Sequence, residues 1–277
     1  MRSDGLTRDT PLLRRALIAA TTALLAVPAL GMVLQMPWAT EAWPFPTGRL
    51  TFMFLGAMIA AIVATATYVL WIGDWGAVVG GALNLLVMFG GFAWFMWYGP
   101  MVGDDPQFPT RPSDAGGHFL FAVACPLIAL GAVGLLAWAR GKPFADPRPV
   151  PRLVSRSFVL FILVLVGAGV ALVLRRPNVM PWPLDPNTSV MVGIIFLADA
   201  TYFAYGLLKP AWSNARGQLL AFLVYDLVLI VPLLRHFQTV KPESLVNLVL
   251  YAAVVVYSGA LAGYYLFRGP PRPQPAA

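Results

Sequence analysis

The sequence predicts an all-α fold, a polytopic transmembrane bundle of eight helices, and three observations carry that expectation. Hydrophobic residues make up 59% of the 277 and charged residues 11%, so lipid rather than water is the expected solvent. The apolar residues gather into eight runs of about 20, the length that spans hydrocarbon. Within a run they do not alternate over about ten residues, as the strands of a membrane barrel would.

The runs follow one another with short connections. Arg14 and Arg15 precede an apolar stretch containing Val27-Pro28-Ala29, as a signal peptide would begin. Residues 12–34 are too long for the hydrophobic region of such a peptide and read as the first helix. Seven more runs cover 50–72, 76–98, 118–138, 153–174, 188–208, 217–237 and 245–267. Pro28, Pro126 and Pro232 lie inside runs and should bend them. Gly56, Ala60 and Ala64 give the second helix a narrow face for close approach by another helix. The sole cysteine, Cys125, supports neither an internal disulfide nor a cysteine metal cluster.

Charge sets the expected topology. The net charge of +7 lies in connections rather than on a soluble face, so it argues against nucleic acid as a partner and for orientation in a bilayer. With the N-terminus inside, thirteen of the nineteen Lys and Arg residues are cytoplasmic, which predicts both termini inside. Tryptophans mark both interfaces, Trp38, Trp43, Trp94, Trp97 and Trp182 outside, Trp71, Trp75, Trp138 and Trp212 inside.

A 4+4 parallel internal repeat is also legible. Met36-Pro37-Trp38 and Met180-Pro181-Trp182 stand before the second and sixth helices at an offset of 144, and Phe54-Leu55 and Phe196-Leu197 recur at 142. Four helices per unit would put a symmetry axis along the membrane normal. The expected organisation is a first half 1–140, a basic, proline-rich cytoplasmic linker 141–152, a second half 153–268 and a disordered tail 269–277. These Trp-Pro approaches, over 36–72 and 180–212, resemble a pattern in uncharacterised bacterial polytopic membrane proteins. The resemblance implies no activity; the expected location is a bacterial cytoplasmic (inner) membrane.

The candidate site rests on Asp199 and Asp226, because a carboxyl in hydrocarbon is costly and is buried against a partner. Each lies 11 residues below an outer helix end, roughly 16 Å deep at about 1.5 Å per residue, so an antiparallel hairpin of the sixth and seventh helices would bring them level. Two close carboxyls in low dielectric cannot both ionise cheaply, so a proton or cation would be held between them. Tyr202 and Tyr205 flank Asp199, Tyr251 and Tyr257 reach the same depth, and Asn84 occupies the position of Asp226 at the 142 offset. The competing reading is that each acid is bonded to a neighbour and only ties helices together.

Three further groups stand out. His118 and His236 share an outer depth and could ligate a haem or another metal, although no cofactor is required by the sequence. Arg175, Arg176 and Arg235 gather outside, where an anion or lipid phosphate could bind unless Asp104, Asp105 or Asp185 pairs with them. The connection 100–117 is long enough for a lid or docking surface. No P-loop, dinucleotide fingerprint, zinc motif or serine elbow occurs, which points away from those enzyme classes. The functional expectation is a carrier or channel for a small solute or cation. Its rivals are an accessory subunit packed against membrane protein partners or a second copy, and a haem- or pigment-binding protein.

Overall fold

The computed structural model describes residues 11–102 and 116–268. The connection 103–115, with Asp104 and Asp105, and the tail 269–277 lie outside the described residues. The described chain is helical: α1 Pro11–Val33, α2 Pro37–Thr40, α3 Arg49–Ile72, α4 Val78–Val102, α5 Gly116–Ala139, α6 Arg152–Val173, α7 Pro186–Leu208, α8 Trp212–His236 and α9 Leu245–Arg268, the last entered through a 3-10 turn at Pro242–Ser244. Seven of these, α3 to α9, are long and apolar enough to cross a membrane, while the described apolar part of α1, Ile18–Val33, is shorter. The chain is therefore an integral, multi-pass membrane protein.

Helix boundaries follow the apolar runs to within two residues, except that α4 continues four residues further, to Val102, and α8 begins early. α8 begins at Trp212, five residues before the apolar run does, because Trp212-Ser213-Asn214 is buried against the connection from α5 to α6. The Trp212 amide donates to the Arg148 carbonyl at 2.8 Å, and the Asp146 amide donates to Ser213 Oγ at 3.2 Å. Buried polar residues can open a helix when the neighbouring backbone supplies their partners.

That connection, residues 140–151, is a strap across one end of the bundle. It meets the α3–α4 turn as well as the start of α8: the Gly76 amide donates to Pro143 O at 3.1 Å and the Ala145 amide to Asp74 Oδ1 at 3.2 Å. Within it, the hydrogen-bonded Arg148 guanidinium, 2.6 Å from Asp146, holds the Asp146 carboxyl below its ordinary range. The opposite end carries the Trp-Pro loops, and these cross over. Trp43 Nε1 donates to Thr188 Oγ1 at the start of α7 (3.3 Å), and Trp182 Nε1 donates to Thr51 Oγ1 at the start of α3 (3.1 Å). Phe54, fully buried, meets Trp182, Phe196 and Tyr225 beneath them.

Between the ends the helices form two rows, α1–α3–α8–α9 and α6–α7–α4–α5, named in order of packing. The expected hairpin of α7 and α8 is not the packing found: α7 lies mainly on α6 and α4, α8 mainly on α3 and α9, and the two touch only slightly. The reason is where the backbone can approach. A Cβ on Gly56 would lie 2.9 Å from the Ala29 carbonyl oxygen of α1, and one on Gly193 would lie 2.7 Å from the Gly169 carbonyl oxygen of α6. In lipid such close approach replaces the hydrophobic drive that joins helices in water.

Gly56→Leu and Gly193→Leu should each destabilise the bundle by about 1–3 kcal/mol, seen as a lower unfolding temperature in detergent. Gly81→Ala, where an added Cβ meets nothing within 4 Å, should not lower it.

Candidate functional site

Because the rows touch little along their middle, a cavity of about 810 Å³ lies between them. Its walls come from α3 to α9, and it extends from Trp75 and Trp138 beside the strap to Val179, Met180 and Asn247 beside the Trp-Pro loops. Most of the lining is aliphatic or aromatic. The polar exceptions are few, and both aspartates singled out from the sequence are among them, Asp199 from α7 and Asp226 from α8.

The two acids reach the cavity separately. Asp199 is part-buried and its Oδ1 accepts from Asn84 Nδ2 on α4 at 2.8 Å. Asp226 is 5% exposed, and neither carboxylate oxygen has a hydrogen-bond partner among the described residues. It lies against α9, where a Cβ on Gly259 would be 3.3 Å from Oδ2. Ser258 is beside it, but the Ser258 hydroxyl is turned to the Val254 carbonyl at 2.8 Å. No hydrogen bond joins the two carboxyls, which line the cavity from opposite rows, Asp199 from α7 and Asp226 from α8. Leaving a buried carboxyl unbonded costs free energy, and burying it beside an apolar chamber makes it a site for whatever satisfies it.

The tyrosines are engaged elsewhere. Tyr202 reaches Thr65 on α3, and Tyr205 Oη donates to the Gly76 carbonyl at 3.1 Å in the α3–α4 turn. Tyr251 is hydrogen-bonded to Tyr225, hydroxyl to hydroxyl, and Tyr257 to Ser157 on α6 at 2.6 Å. Tyr202, Tyr225 and Tyr251 line the cavity; Tyr205 does not. Tyr225, Thr65 and Ser258 were not among the residues expected from the sequence, although Tyr225 is the neighbour of Asp226 and Thr65 is polar inside an apolar run. Asp74, fully buried where it ties the strap, was also missed.

No known family, curated protein or solved structure matches the chain.

The remaining candidates sit at the Trp-Pro end, outside the cavity. His118 packs edge-on to Phe45 with ring centroids 5.0 Å apart. His236 Nε2 is 3.1 Å from the Pro181 carbonyl oxygen and Nδ1 is 3.1 Å from Thr239 Oγ1, so both ring nitrogens are occupied. Among the described residues no three His, Cys, Asp or Glu side chains form a metal-binding group. Arg175 donates to Asn187 Oδ1 at 2.8 Å, and Asp185 caps α7 through the Asn187 amide at 2.9 Å. Arg176 and Arg235 are exposed.

The two acids should respond oppositely to loss of their surroundings. Asn84→Ala, which strips Asp199 of its donor, should destabilise the protein by about 1–2 kcal/mol, whereas Asp226→Leu should stabilise it by about 1–3 kcal/mol. Thermal unfolding of the two variants in detergent checks the signs.

Proposed function

We propose that the protein is a membrane carrier of eight crossings in two fourfold halves, which passes a small solute or cation through the central cavity with Asp199 and Asp226 as its proton- or cation-holding groups. The observation that carries this reading is that two intramembrane acids, on consecutive helices that pack in different rows, line one cavity between those rows. An acid kept only to tie helices together would be firmly bonded to a neighbour; the polar group beside Asp226 is the Ser258 hydroxyl, which bonds the Val254 carbonyl at 2.8 Å. Two rows joined at their ends and separate between are also what rocking about a central site requires.

The duplicated architecture is supported by an offset different from the 142 and 144 expected from the sequence. At 137 positions, Pro44 and Pro46 meet Pro181 and Pro183, Thr51 meets Thr188, Gly56 meets Gly193, Tyr68 meets Tyr205 and Gly80 meets Gly217. These equivalents make equivalent contacts. Each threonine accepts from a tryptophan of the other half's loop, and Gly56 and Gly193 approach α1 and α6 in the same way. Gly80 faces Tyr205 as Gly217 faces Tyr68. On this register Asp199 corresponds to Ile62 and Asp226 to Phe89, so both acids belong to the second half alone. By the charge rule we read the end that carries the basic strap as cytoplasmic, which would put both chain termini on that side.

A test needs no knowledge of the solute. Gly81 lines the cavity with open space for a side chain, so Gly81→Cys in a Cys125→Ala background offers one reporter thiol. A carrier exposes it in turn to each side, and membrane-impermeant thiol reagents should modify it in both right-side-out and inside-out vesicles. Modification from one face only would make the cavity a binding pocket, and from neither face would favour a packed accessory subunit.

A further inference from the structure

We propose that the cavity takes a hydrophobic organic cation, a monovalent amine or quaternary ammonium on an apolar body, and admits it sideways from the membrane between α6 and α9. The proposal rests on the carrier reading for turnover, but its binding chemistry stands on the cavity alone.

Charge decides the sign of the ligand. Two carboxyls line the cavity, and no Lys, Arg or His does so among its described lining. The titratable groups facing Asp226 and Asp199 are Tyr202 on α7, Tyr225 on α8 and Tyr251 on α9; α3 and α4 bring only Thr65 and Asn84 as polar partners, and α5 and α6 bring apolar or aromatic side chains. An anion entering this chamber would find no cation to meet it, whereas a cation would satisfy the buried and otherwise unbonded Asp226 carboxylate. The rings of Phe196, Phe203, Phe222 and Tyr225 on the walls add faces that favour an onium group.

Size and lining decide the body. A chamber of about 810 Å³ walled by aliphatic and aromatic side chains is far larger than a bare metal ion needs and falls within the range of pockets for drug-sized organic ligands. A small hydrated cation would leave most of that wall unsatisfied.

The route is set by residues that line the cavity and also lie on the lipid-facing surface. Four lining residues meet this condition: Leu135 (43% exposed) and Trp138 (48%) of α5, at the strap end, and Val164 of α6 (43%) and Leu250 of α9 (60%), which open the cavity away from that end. The seam between these helices is tied towards the strap by the Ser157–Tyr257 hydrogen bond at 2.6 Å. Towards the Trp-Pro loops, Asn247 donates to the Asn178 carbonyl. Between the two ties the mouth is bordered by aliphatic side chains, which a membrane-dissolved amphiphile can cross without shedding water.

The test is equilibrium binding of radiolabelled tetraphenylphosphonium to the full chain in lipid nanodiscs, with tetraphenylborate, the same shape with opposite charge, as competitor. Saturable binding is expected, weakened about tenfold or more by Asp226→Asn and by Asp199→Asn, retained in Asp226→Glu, and weakened as pH falls because protons compete for the carboxyls. Tetraphenylborate should not displace the cation. Equal competition by tetraphenylborate, or wild-type binding in both asparagine variants, would overturn the proposal by showing plain partition into an apolar chamber. If either asparagine variant fails to fold, the charge comparison and the pH dependence of the wild-type protein decide alone. Binding with these properties in a protein whose Gly81→Cys thiol is reached from one face only would sink the carrier reading and leave the ligand class standing; two-sided labelling without charge-selective binding would do the reverse.

Discussion

Helices in hydrocarbon gain nothing from hiding apolar surface from one another, so their packing depends on where backbones can come close and where polar groups must be bonded. In this protein both devices act on particular pairs. Gly56 brings α3 onto α1, and Gly193 brings α7 onto α6. Thr65 Oγ1 donates to the Gly217 carbonyl at 3.2 Å, binding α3 to α8, while Asn84 and Asp199 bind α4 to α7. The rows are themselves tied at a few points: Gln218 Nε2 of α8 donates to the Tyr202 carbonyl of α7 at 2.6 Å, and Ser157 of α6 is bonded to Tyr257 of α9 at 2.6 Å. The space between the rows is what remains.

The ends of the bundle are closed by different means. At the strap end a proline-rich segment lies in extended form over two turns and lends its carbonyls to their free amides, an arrangement suited to a water-facing surface. At the other end two indole N–H groups reach across to threonine hydroxyls in the opposite half. Indoles suit this place, with an apolar body for the core and one donor that must be satisfied when buried. Hydrogen bonds thus close both ends of the cavity, while its sides are lined mainly by apolar side chains.

Asymmetry is as informative as symmetry. Thr51 and Thr188, and Gly56 and Gly193, stand 137 positions apart, whereas Ile62 and Phe89 stand 137 positions before Asp199 and Asp226.

The apolar runs by themselves determined the class of fold and nearly every helix boundary, because a backbone in lipid has few alternatives to the helix and hydropathy reports lipid directly. They also singled out Asp199 and Asp226, since a charge in such a run is conspicuous whatever surrounds it. Where the chain could not be read was wherever polarity was satisfied locally. The start of α8 at Trp212 and the buried Asp74 depend on a strap more than 60 residues away from each. Which helices touch is a property of pairs of faces, not of one run. Only the tertiary structure could decide that α7 and α8 turn away from each other, that Asn84 is the partner of Asp199, and that Asp226 is left facing a chamber, because glycine-sized gaps on α1, α3, α6 and α7 set those distances.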